Sequence, residues 1–158
     1  MISLSHRKQY LKVENMKNEN FNFNFSIPIQ IRWNDLDPLG HVNNAVYVTY
    51  FEIARGYFML KAAKGWDWHK NMFLIGNVNV SFNKELLLTS QDAKVHIRTS
   101  SIGNKSFVLE YAITSSNNGE TVVHATGTTT QIMFDLKNKS TIEVPDWVRK
   151  SLSDFDQL

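Results

Sequence analysis

Hydrophobic and polar positions change period twice along the chain, and each change marks an element. Ile27, Ile29, Ile31 and Trp33 alternate with Pro28, Gln30, Arg32 and Asn34. That period of two predicts a half-buried strand over 27–34, with Pro28 near its start, where a missing N–H does least harm. Residues 35–43 break the pattern with Pro38 and Gly40 and read as a turn-rich loop. From Asn44 to Lys64 the spacing becomes helical, with Asn43 or Asn44 as the cap. Val46, Tyr50, Ile53, Tyr57 and Leu60 form one apolar stripe, and Tyr47, Phe51, Ala54, Phe58 and Ala62 form a second beside it. A helix apolar over more than half its circumference must be wrapped by other structure. Gly65 is a natural stop.

Period two then returns. Val78, Val80 and Phe82 alternate with Asn77, Asn79, Ser81 and Asn83. Ala93, Val95, Ile97 and Thr99 form an inward set on the next strand, and Phe107, Leu109, Tyr111 and Ile113 another. Asn118-Gly119 is a strong hairpin signal, followed by a β-branched run from Thr121 to Phe134. Pro145 opens a short amphipathic helix carrying Trp147, Val148 and Leu152. The order β-α-β-β-β-β plus a terminal helix predicts an α+β fold. Four consecutive strands joined by short turns form an antiparallel sheet of about five strands with the first, curled around one long apolar helix. That is the hotdog architecture. A lone subunit of this kind leaves a sheet edge open, so a homodimer or homotetramer is expected.

Composition narrows the partners. The 158 residues fit one domain, and 42% are hydrophobic, enough for a real core. Residues 1–25 are rich in Asn, Lys and Glu and read as a poorly ordered tail, leaving 26–158 as the domain, with Met1 or Met16 as the start. Arg7, Lys8, Lys12 and Lys17 against Glu14 and Glu19 account for the whole net charge of +2. A neutral body argues against nucleic acid as a partner. The basic start has no apolar h-region and no apolar run is long enough to span a bilayer, so a cytoplasmic protein is expected, with no membrane partner. Cysteine is absent, which excludes a thiol nucleophile and Cys-ligated metal sites. The histidines show no metal-ligand spacing, and there is no Gly-rich phosphate loop and no G-x-S-x-G elbow. No metal or cofactor is expected.

Functional residue types crowd into Asp35-Leu36-Asp37-Pro38-Leu39-Gly40-His41-Val42-Asn43-Asn44, which ends at a helix N-terminus. Free N–H groups there can hold an oxyanion while a carboxylate activates water or attacks directly. By composition alone, Asp and Asn at such a place also serve as plain caps. These residues, followed by Tyr47 and Glu52-Ile53-Ala54-Arg55, resemble the 4-hydroxybenzoyl-CoA thioesterase-like hotdog family. The His-Val-Asn-Asn version is similar to bacterial long-chain acyl-CoA and plant acyl-ACP thioesterases, and the likeness runs from about residue 27 to residue 150.

The resemblance implies a metal-free thioester hydrolase. Asp37 matches the family's catalytic carboxylate, acting as nucleophile or as general base. The backbone N–H of Asn44 matches the oxyanion donor. His41 matches the subgroup's histidine, which either lines the site or makes a structural hydrogen bond. Asn43 orients the loop or contacts substrate, and Asp35 fixes the loop. Glu52 either supports that loop or pairs with Arg55 at i+3. Lys105 matches a basic position for the coenzyme A nucleotide, although it stands alone in Gly103-Asn104-Lys105, where relatives have two or three basic residues. An acyl pocket is expected near Tyr47, Phe51 and Phe73, with Trp66 and Trp68 plugging or lining it. The implied function is an acyl-CoA thioesterase. The rivals are a non-catalytic acyl-thioester binding subunit and an acyl-ACP thioesterase.

Overall fold

The computed structural model describes residues 22–158. The expected tail thus lies outside the described residues up to position 21. Nine elements follow: β1 (Phe25–Pro28), a 3-10 turn (Trp33–Asp35), α1 (Asn44–Ala62), β2 (Phe73–Phe82), β3 (Gln91–Ile102), β4 (Ser106–Asn117), β5 (Glu120–Asp135), β6 (Ser140–Thr141) and α2 (Asp146–Asp156). The sheet runs in the order β1-β3-β4-β5-β2, with β6 added to β5, and every pairing is antiparallel. Its concave face packs on α1, which makes the α+β hotdog arrangement.

The inward faces of β3 and β4 are the expected ones: Ala93, Val95, Ile97, Phe107, Leu109, Tyr111 and Ile113 are all buried. Asn118 and Gly119 turn the β4–β5 hairpin with φ of 52° and 83°, the doubly positive backbone of a type I′ turn. On β5, Gly127 lets the Phe51 ring approach the strand; a Cβ there would come within 2.7 Å of it. Phe51 then stacks on Tyr111 at 4.3 Å between centroids. On α2, Val148 and Leu152 are buried as expected.

Three expectations change. The first strand is Phe25–Pro28 rather than 27–34, so Pro28 closes it instead of opening it. Inward alternation persists through Ile27, Ile29 and Ile31, but the ladder ends soon after Pro28, and the Arg32 N–H is taken by the Asp35 carboxylate, which starts the 3-10 turn. Trp33 therefore points outward, 77% exposed. The helix is not wrapped all round: the second stripe is buried, but Ile53, Tyr57 and Leu60 of the first face outward. Finally, β2 does not pair with β3. It pairs with β5, so the chain from 83 to 90 crosses over the strand ends to reach β3. That crossover borders the site.

Candidate active site

The loop between β1 and α1 is anchored by Asp35. Its buried carboxylate accepts from the Arg32 backbone N–H at 2.8 Å, from the Arg32 guanidinium at 3.0 Å and from the Tyr50 hydroxyl at 2.8 Å. Burial pushes this carboxyl upward, but the bonds from Arg32 and Tyr50 outweigh it and hold it below the ordinary 3.8. Burial, with Asp35 beside it, keeps the Tyr50 hydroxyl protonated. The Asp35 carbonyl also accepts the Asn43 N–H at 2.8 Å, which ties the two ends of the loop together. Asp35 fixes the loop, as the sequence reading has it.

Between those ends the chain makes a tight turn. The Gly40 N–H donates to the Asp37 carbonyl at 3.0 Å and the Asp37 N–H to the His41 carbonyl at 2.8 Å. Pro38 presets the turn and Gly40 takes a φ of 79°. Asp37 Oδ1 accepts the N–H groups of Leu39 at 2.9 Å and His41 at 3.2 Å. Its Oδ2 has no partner among the described residues, and neither does the His41 ring. Asn43 is the N-cap of α1, with Oδ1 accepting the Ala45 N–H at 2.9 Å. Asn44 follows as the first helical residue, and among the described residues its N–H meets no acceptor. Asp37, His41, Asn44 and Tyr47 line one cleft of about 290 Å³.

The other wall of the cleft is Phe82, Asn83, Lys84 and Glu85, the end of β2 and the start of the crossover. Of these only Lys84 is readable in the sequence, as a basic residue able to help receive coenzyme A phosphates. The signal for the wall as a whole is the loss of period two at Lys84, where a second and third polar residue follow Asn83. The wall is tied to the loop and helix. Val42 N–H donates to the Leu86 carbonyl at 2.8 Å, Leu86 N–H donates to the Tyr47 hydroxyl at 3.2 Å, and His41 bridges to Leu87. Burial raises the Tyr47 hydroxyl pKa, so that group stays neutral.

Other candidates lie elsewhere. Glu52 is exposed two turns along α1 and does not pair with Arg55. Arg55 turns inward instead, donating to the Tyr111 hydroxyl at 3.5 Å. Lys105 stands at the far end of the sheet: its carbonyl takes the Met133 N–H, and Met133 pairs with Phe73, the first residue of β2. Phe82, at the cleft, is the last residue of that 10-residue strand. At about 3.3 Å per residue the two ends are about 30 Å apart. Phe51 is core rather than pocket lining, and Trp66, Trp68 and Phe73 pack on one another at the Lys105 end, which takes them out of the cleft. Among the described residues no three His, Asp or Glu side chains gather to hold a metal ion, and no helix is long and apolar enough to cross a membrane.

Residues 31–152 match the family model of the thioesterase-like superfamily. The chain belongs to that superfamily. Among thioesterases, the long-chain acyl-CoA thioesterase FadM of Escherichia coli is 28% identical over 127 residues, covering 78% of this chain and 93% of FadM. A thioesterase from Thermus thermophilus, solved with coenzyme A and zinc, aligns at TM-score 0.75 and 27% identity over 87% of this chain and 98% of that one. A 4-hydroxybenzoyl CoA thioesterase mutant, solved with 4-hydroxybenzoyl CoA, aligns at TM-score 0.71 and 18% identity, over 82% and 98% of the two chains. At that last identity the likeness concerns the thioesterase fold.

Proposed function

We propose that the protein hydrolyses acyl-CoA thioesters to a free acid and coenzyme A at the Asp37 cleft. One observation carries the reading: a carboxylate with an uncommitted oxygen and an uncommitted helix N-terminal N–H line the same cleft. As general base, Asp37 takes a proton from water while the oxygen of that water adds to the thioester carbonyl. The Asn44 N–H then receives the developing oxyanion, helped by the positive end of α1. Collapse breaks the C–S bond, and the thiolate leaves and takes up a proton. As nucleophile, Asp37 instead forms an anhydride that water opens. His41, whose ring has no partner among the described residues, lines the site. Asn43 supports it by capping α1 rather than touching the reacting atoms, and Glu52 stands outside the cleft. Similarity to FadM supports the acyl-CoA class, while the solitary Lys105 keeps an acyl carrier protein as the competing carrier.

The reading includes a homodimer built on β2. This strand is one of the two sheet edges, and its inward residues Ile75, Val78 and Phe82 stay 40–45% exposed, even though the Phe82 ring packs edge-on against Tyr47 of α1. Beside them on α1 lie Arg55, buried without a carboxylate partner among the described residues, and the unpaired Glu52 one turn away. A two-fold copy covers the apolar strip and lets each Arg55 meet a glutamate of the other helix. Antiparallel pairing of two β2 strands also exchanges their ends. Lys105 of the partner subunit then comes toward this cleft, which gives that residue a substrate-binding role it lacks within one chain.

Thiol release from acyl-CoA by the parent protein, lost in Asp37→Asn, tests the reading. Turnover confined to acyl carrier protein thioesters supports the rival carrier. Binding without turnover supports the non-catalytic subunit.

A further inference from the structure

We propose that His124, backed by Ser115, is a positioning residue of the active cleft: its imidazole fixes the 83–87 wall against which the substrate lies. The inference rests on the thioesterase reading of the cleft and adds a residue that touches neither substrate nor Asp37.

The wall has left the β2 ladder and has no regular secondary structure of its own. On the cleft side it is held by the bonds to Val42, Tyr47 and His41 already described. On the sheet side, among the described residues, every hydrogen bond of the wall goes to one residue. The His124 carbonyl accepts the N–H groups of Asn83 at 2.8 Å and Lys84 at 3.1 Å. The His124 ring nitrogen Nδ1 stands 2.8 Å from the Glu85 carbonyl. The first two bonds use backbone that any residue would supply. The third exists only because position 124 carries a donor of the right reach.

The ring's tautomer follows from its neighbours. A carbonyl only accepts, so Nδ1 carries the proton and Nε2 is bare. Nε2 therefore accepts the Ser115 hydroxyl, 2.7 Å away. Both side chains are buried, with His124 only 3% exposed. Burial pulls the imidazole below its ordinary 6.5, so the ring stays neutral and keeps this polarity around pH 7. The wall is one strand thick. Lys84 and Glu85 line the Asp37 cleft on one side and, on the other, a second groove that Ser115 and His124 also line. With a groove on each side, the wall keeps only two of its three sheet-side bonds when the peg is removed, and a displacement of about 1 Å at a site costs up to about a hundredfold in rate.

Two amides of different reach separate this role from general stability. In His124→Asn the side-chain nitrogen sits near the Nδ1 position and keeps the bond to Glu85. In His124→Gln it sits near Nε2 and loses that bond while keeping Ser115 as a partner. Val148→Ala, a core truncation on α2, serves as a control for lost stability. With the full chain and its best acyl-CoA substrate, His124→Gln is expected to lower kcat about tenfold or more, while His124→Asn and Val148→Ala stay within about threefold. Amide exchange at Lys84 and Leu86 is expected to speed up about tenfold in His124→Gln and stay near parent in His124→Asn. Where His124→Gln does not fold, His124→Leu carries the same contrast. Equal losses in Asn and Gln, a kcat loss in Val148→Ala as large as in Gln, or unchanged kcat and exchange in Gln each overturn the proposal. The exchange readout needs no turnover: a parent inactive on every thioester would sink the thioesterase reading, while exchange would still decide whether the imidazole holds the wall.

Discussion

Asp35 and Asp37 stand two positions apart and do opposite work. Asp35 is buried and fully engaged, whereas Asp37 spends one oxygen on its own turn and keeps the other for the cleft. Asp37→Asn is expected to fold normally and lose about a hundredfold or more in kcat, the usual weight of a general base. Asp35→Ala is expected to cost about 2 kcal/mol in denaturant unfolding, because the Tyr50 hydroxyl and the Arg32 N–H lose their acceptor. The folded carboxyl of Asp35 titrates below its ordinary 3.8, so its stabilisation is complete above that pH and is lost as the pH falls toward the folded value. The difference in stability between parent and Asp35→Ala should therefore shrink in acid; a constant difference from pH 7 to pH 3 would remove Asp35 as the anchor. The spacing of charged and amide residues before a helix pointed to this loop. The partners of Asp35 were not readable, because Tyr50 lies fifteen positions away and reaches it only through the rotation of α1.

Helix α1 shows how far periodicity carries at the scale of an element. Its start and one buried stripe follow from spacing, but its end at Ala62 rather than Lys64, the choice of Asn43 over Asn44 as cap and the exposure of Ile53, Tyr57 and Leu60 do not, since two adjacent apolar stripes look alike in sequence. Nor did the run of strands announce that β2 pairs with β5, because strand order depends on where a crossover goes rather than on what the strands contain. Helix α2 carries a tether of its own. Asp156 accepts the Thr99 N–H at 2.7 Å through one carboxylate oxygen and buries the other without a partner among the described residues. Burial raises this carboxyl above its ordinary 3.8, so the charged form costs stability in the folded state. Asp156→Asn keeps the bond and removes the charge. It is expected to raise Tm at pH 7, with the gain vanishing as the pH falls to about 3.8, the unfolded value. A lower Tm at pH 7 would show that the charge stabilises this contact.

For the whole molecule, the open β2 edge and the distance between Lys105 and the cleft point the same way. One chain carries the Asp37 loop at one end of the sheet and the solitary turn lysine at the other. Val78 is 43% exposed, so Val78→Asp leaves the fold of one subunit intact. It is expected to turn the dimer into a monomer by light scattering and to lower kcat/KM for acyl-CoA with it. A dimer that survives this substitution would place the interface elsewhere. The direct test of the catalytic reading is thiol release from a panel of acyl-CoAs, short to long chain plus benzoyl and phenylacetyl, with the parent protein and Asp37→Asn side by side. Turnover on at least one ester by the parent, reduced about a hundredfold or more in Asp37→Asn, is the expected result. Equal turnover in both proteins would contradict the role given to Asp37, and turnover in neither would contradict acyl-CoA hydrolysis itself.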